Sequence, residues 1–116
     1  RMAFNVSANF YIIRFQRFIM NIGNAIKKIR TEKSISQKEL SVITGISPTS
    51  LSQIEKGLKR PSAKNLTKIC QALEVPETLI YFYGLEEIDI PQKKKEVYSA
   101  IYPVLEEMIK KLILDK

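Results

Sequence analysis

Residues 36–57, Ser-Gln-Lys-Glu-Leu-Ser-Val-Ile-Thr-Gly-Ile-Ser-Pro-Thr-Ser-Leu-Ser-Gln-Ile-Glu-Lys-Gly, read as two short helices joined by a tight turn. Ser36 and Glu39 have the spacing of a capping box, which satisfies free N–H groups at a helix start. Leu40, Ile43 and Thr44 recur at i, i+3 and i+4, a spacing that places them on one face. Gly45 supplies the left-handed residue that stops this helix. Ser47 can cap the next one, and Pro48 suits its first position because no N–H is needed there. Leu51 and Ile54 are the predicted buried side of the second helix, and Gly57 its end.

Pro48, Thr49, Ser52, Gln53 and Lys56 fall on the outward face of that second helix. They are small, polar or cationic, and none is a long apolar group that needs burial. Hydroxyls and amides so displayed suit the edges of base pairs in the major groove. S-x-x-E alone occurs often by chance. The whole register is far more specific: Gln37, small Ser41, Gly45, Leu51, Ile54, Glu55 and Gly57. It resembles the lambda-repressor-like (Cro/C1, or XRE) helix-turn-helix family.

The resemblance covers residues 21–84. Ile22, Ile26, Ile29 and Arg30 look like the family's first helix. Lys59-Arg60-Pro61-Ser62 looks like the segment after its recognition helix. Leu66, Ile69, Cys70 and Leu73, then Val75-Pro76 and Leu79, look like its fourth and fifth helices. Ser41 stands where the family commonly has Ala, and Pro48 offers no hydrogen bond to a base. The implied fold class is all-α, a five-helix lambda-repressor-like DNA-binding domain, to which this chain adds a C-terminal helix.

The resemblance also implies roles. Thr49, Ser52 and Gln53 would touch bases, and the Gln53 amide is the best reader because it can grip adenine N6 and N7 together. Gln37, Lys38, Ser47, Lys56, Lys59 and Arg60 would touch the DNA backbone, which gives affinity without sequence information. Lys38 and Lys64 are weaker candidates. For each, plain solvent exposure is the alternative. Arg30 and Glu55 would form a structural pair linking the first helix to the recognition helix, and two unconnected surface charges are the competing reading. Cys70 shares a helix face with Leu66, Ile69 and Leu73 and reads as a small core residue.

Charge supports the same partner. The formal net charge is +7 over 116 residues. Residues 22–73 alone carry ten lysines and arginines against three glutamates, and the rest of the chain is balanced. Clustered positive charge is the footprint of a polyanion. The apolar fraction of 45% falls in the globular range. One cysteine makes no intrachain disulfide and suggests a reducing compartment. There is no histidine, and one cysteine cannot build a zinc site. No cofactor or metal is expected. With no carboxylate dyad on an obvious pocket and no glycine-rich phosphate loop, an enzyme is not the expected reading. No 18-residue apolar run is present, so nothing is expected to span a membrane, and a cytoplasmic, nucleoid-associated protein is expected.

Beyond the domain, residues 1–20 do not resemble the family. Met20-Asn-Ile-Gly looks like a natural start, so residues 1–20 read as an N-terminal extension, cloning-derived or translated from upstream. Phe18, Ile22, Ala25 and Ile29 hold helical spacing, while Phe4, Val6, Ala8 and Phe10 alternate as in a strand. The first helix is expected over 22–33 with Asn21 as its cap. Residues 85–91 read as a short linker. Residues 92–116 form an amphipathic C-terminal helix that Pro103 should kink or split. Its Lys93-Lys94-Lys95 run either meets nucleic acid or is a solvated helix start. Val97, Ile101, Leu105, Met108 and Leu112 make an apolar seam. Burial against the rest of the chain or against a second subunit would satisfy it, and a homodimer is the expectation carried forward.

The function expected from all this is a sequence-specific regulator of transcription that binds double-stranded DNA. It would be a dimeric repressor acting by operator occlusion. The alternative is an antitoxin-type interaction module whose C-terminal helix holds a protein partner while the helix-turn-helix autoregulates its own operon.

Overall fold

The structure is a computed structural model, and it describes residues 22–86 and 89–114. All regular structure among them is helical. Helix α1 occupies 22–32, followed by α2 (Gln37–Thr44), α3 (Pro48–Glu55), α4 (Ala63–Leu73) and α5 (Glu77–Tyr83). A 3₁₀ turn, Gln92–Lys94, leads into α6 (Lys95–Leu114). The expectations for residues 1–20 and for the Asn21 cap lie outside the described residues.

The helix starts are written locally. Ser36 accepts from the Glu39 N–H, and the Glu39 carboxylate accepts from the Ser36 N–H, both at 3.0 Å. Those bonds, the backbone one first, hold Glu39 below the usual carboxylate range. Ser47 accepts from Ser50 N and Ser62 from Asn65 N, each at 3.1 Å. Gly45 follows α2 at φ +74° with open space around it, so glycine is there for its backbone and not for room.

α2 packs against both α3 and α4, and α4 packs against α5. The core gathers Ala25, Ile26 and Ile29 from α1, Leu40 from α2, Leu51 and Ile54 from α3, Ile69 and Leu73 from α4, and Ile80 from α5, all essentially sealed from solvent. Cys70 is buried with them, and burial pushes its thiol up to about 11.

Two expectations are corrected. Ile43 does not share the buried face of α2 and is 61% exposed. The buried stripe is Leu40, Ser41 and Thr44, because the Ser41 hydroxyl donates to the Ile46 carbonyl at 2.5 Å and is drawn into the turn. With Ser41 on the buried side, Ile43, two residues on and about 200° round the helix from it, faces outward. Nor does Pro103 split the last helix, for α6 runs unbroken with Pro103 inside it. Pro103 and Ser99, whose carbonyl loses its donor four residues on, are both exposed, so water can replace the missing bond.

α6 folds back on the domain along one face. Ile113 is buried in the core and Ile109 packs against it. The Tyr102 hydroxyl donates to the carbonyls of Phe82 and Tyr83, each at 3.3 Å, and that of Tyr98 to Leu85 at 3.2 Å. Tyr102 stacks on Tyr98 and on Phe82, with ring centroids 4.9 and 5.9 Å apart. At the far end Lys110 lies 3.7 Å from Glu32, which also accepts from the Tyr83 hydroxyl. Burial, then Glu32, pushes Tyr83 well above its ordinary value.

Candidate nucleic-acid interface

α3 turns Leu51, Ile54 and Glu55 inward. Pro48, Thr49, Gln53 and Lys56 are exposed on the opposite side, with Ser52 half-buried beside them. The three candidate base contacts, Thr49, Ser52 and Gln53, thus share one face. Exposed Ser47 sits at the N-terminal end of α3, and exposed Lys59 and Arg60 follow its C-terminal end. Lys59 reaches back along the helix, and its Nζ donates to Ser50 Oγ at 2.8 Å. Lys38 is exposed on α2.

The orientation of α3 is held by a buried carboxylate. Arg30 Nε donates to Glu55 Oε2 at 2.7 Å and Nη2 to Oε1 at 2.9 Å, a two-pronged pair. The side chains are 12% and 3% exposed. Glu55 hydrogen bonding raises the Arg30 pKa further, against the effect of burial. Arg30 Nη1 also donates to the Ile35 carbonyl at 2.9 Å. The Arg30–Glu55 pair therefore ties α1, the loop before α2 and the recognition helix to one point.

Gln37 joins this cluster, its Nε2 donating to Glu55 Oε1 at 3.1 Å. Only the amide nitrogen can face a carboxylate, which fixes the side chain's orientation. One of its two hydrogens is used there. The other is the one side-chain hydrogen left for a phosphate, beside the Gln37 backbone N–H at the start of α2.

Two residues that matter here escape a pattern reading. Gly23 lies in α1 directly against α3, where a Cβ would fall 2.1 Å from the Ile54 carbonyl oxygen. An isolated glycine in an apolar helical pattern is the signal that points to it. Leu58, just past the recognition helix, is 76% exposed. Its neighbours in sequence are cationic, and nothing in the pattern marks it.

An all-helical domain with this turn and a polar recognition face is a helix-turn-helix domain of the DNA-binding class. A family profile described as helix-turn-helix matches residues 26–80. An uncharacterized HTH-type transcriptional regulator of Mycobacterium tuberculosis is 34% identical over 96 residues, 80% of this chain and 66% of that protein. Another, from Sinorhizobium fredii, is 33% identical over 54 residues, 47% of this chain and 70% of that protein. The crystal structure of the clp gene regulator ClgR from Corynebacterium glutamicum matches with a TM-score of 0.59 over 77% of this chain and 95% of that one; at 20% identity it shares the fold. The chain belongs to the XRE-type helix-turn-helix family of transcriptional regulators. It spans just 66% of the length of the mycobacterial relative.

Proposed function

We propose that this protein binds a specific duplex DNA site as a dimer and represses transcription by occupying its operator. The observation that carries the reading is the outward face of α3. Thr49, Ser52 and Gln53 stand together on a helix whose rotation is fixed by the Arg30–Glu55–Gln37 cluster. Exposed cations extend that surface through Lys56, Lys59 and Arg60. Hydroxyls and an amide read base edges, and cations hold phosphates. Two such helices in successive major grooves would block access of polymerase to the same DNA.

Selection from a random duplex pool tests this. A defined sequence should enrich, and affinity for it should fall steeply as salt rises. Gln53→Ala should cost about 1–3 kcal/mol on that site and relax one position, whereas Lys59→Ala should weaken all sequences alike. Placed between a promoter and a reporter, the site should lower expression when the protein is present. No enrichment, or equal binding to any polyanion, would remove the proposal.

A further inference from the structure

Three helices of this chain end in the same backbone motif. The chain turns left-handed at Ser34, Gly57 and Glu74, with φ of +58°, +77° and +58°. At each, two N–H groups fold back on the last turn. Ser34 N donates to Thr31 O and Ile35 N to Arg30 O. Gly57 N donates to Ile54 O and Leu58 N to Gln53 O. Glu74 N donates to Gln71 O and Val75 N to Cys70 O. In this motif the residue after the left-handed one commonly makes an apolar contact with its helix. That residue is apolar every time: Ile35, Leu58 and Val75.

Ile35 and Val75 are packed on the core. Leu58 is not, and 76% of it is exposed. The helix positions it would meet are Gln53 and Ser52, which are polar and belong to the recognition face. So α3 ends on a leucine whose backbone is pinned to Gln53 and whose side chain, among the described residues, stands outside the core. Exposed Lys56, Lys59 and Arg60 surround it in sequence. A ligand that carries negative charge and presents an apolar group would match Leu58 and these cations together.

We propose that Leu58 is a specificity-determining contact of this protein, seated against the 5-methyl group of a thymine at the edge of the bound site. The proposal rests on the DNA-binding reading above. The thymine methyl is the apolar feature that a base pair displays in the major groove. The Leu58 position is continuous with Gln53, and its cationic neighbours match the phosphates beside that groove. Burying one methyl group is worth about a four-fold change in affinity.

The test uses the full chain and the duplex that selection enriches. Each thymine is replaced in turn by deoxyuridine, which removes only the methyl, and binding is followed by fluorescence anisotropy. At one position the replacement should weaken the unaltered protein by about three- to five-fold. Leu58→Ala should bind the thymine and deoxyuridine duplexes alike and melt at the unaltered temperature. Four results would overturn the proposal: indifference to every replacement, discrimination retained by Leu58→Ala, uniform weakening of all duplexes, which marks a deoxyribose contact, or a changed sedimentation coefficient, which marks a second copy. An enriched site without a deoxyuridine effect removes the Leu58 contact alone. No enriched site removes the DNA reading and this contact with it.

Discussion

Gly23 of α1 and Ile54 of α3 approach so closely that a Cβ on Gly23 would lie 2.1 Å from the Ile54 carbonyl oxygen and 3.1 Å from that of Glu55. The obstacle is backbone, so no side chain can swing away to make room. Alanine is favoured over glycine in a helix by about 1 kcal/mol, but overpacking costs about 1–3 kcal/mol or more. Gly23→Ala should therefore lower stability by about 2 kcal/mol in urea denaturation. It should also weaken DNA binding, because forcing α1 and α3 apart disturbs the seat of the recognition helix. A variant as stable as the parent would show that the two helices do not touch here.

The Arg30–Glu55 pair makes a different prediction. Glu55→Ala removes the carboxylate from an Arg30 side chain that is 12% exposed in the intact pair, and leaves its guanidinium only the Ile35 carbonyl. Breaking a buried pair in this way costs about 3–5 kcal/mol. Replacing both residues by apolar ones of similar size should cost less than Glu55→Ala alone. Gln37→Ala removes one hydrogen bond and should cost about 1 kcal/mol. A double-mutant cycle in thermal melts that finds no coupling between positions 30 and 55 would reject the arrangement.

These two relationships differ in how far the chain announces them. The helix caps at Ser36, Ser47 and Ser62 and the turn at Gly45 depend on neighbours within three or four residues, so spacing alone gives them. Arg30 and Glu55 are 25 residues apart, and only the family register joins them. Ile43 misleads because its i, i+3 relation to Leu40 is as good as that of a buried residue. The buried stripe runs instead through Ser41, whose hydroxyl is satisfied across the turn by Ile46. The approach of Gly23 to Ile54 and the bare side chain of Leu58 are decided by how whole helices meet. An isolated glycine in an apolar helical pattern hints at the first, and no local pattern carries the second.

Cys70 predicts a loss of stability in alkali. Its thiol is pushed up from its ordinary 9.0 to about 11 by burial, with a smaller effect from Glu77. In the unfolded chain the thiol ionises near its ordinary value, while the folded protein keeps it neutral. Unfolding therefore releases a proton as pH rises. The contribution is fully present below about pH 9 and is lost as pH climbs to about 11. Cys70→Ala should flatten the fall of melting temperature across that window, whatever its effect at neutral pH. Tyr83 and Tyr102 are also raised by burial, but from an ordinary value of 10.0, so they act higher in the range. An unchanged slope in the variant would mean that the thiol is open to water.

α6 carries more apolar surface than its docking uses. Tyr98, Tyr102, Ile109 and Ile113 face the domain. Val97, Ile101, Val104, Met108 and Leu112 recur three or four residues apart on the adjoining side and are 49–68% exposed. Leu105 lies between the two sets and helps line an apolar groove with Phe82, Leu85 and Tyr98. A contiguous stripe of this kind marks an interface. The proposed reading of two half-sites about 34 Å apart would also require a fixed pairing of subunits. Deleting residues 92–116 would be a poor test, because it strips Ile113 from the core. Met108→Asp is cleaner, since it places one charge in the middle of the stripe and touches nothing buried. Analytical ultracentrifugation should find the parent protein dimeric at micromolar concentration and Met108→Asp monomeric, with helix content unchanged in circular dichroism. Binding of the monomer to a two-half-site duplex should fall far more than its binding to a single half-site. A Met108→Asp protein that remains dimeric would place the subunit contact on another surface.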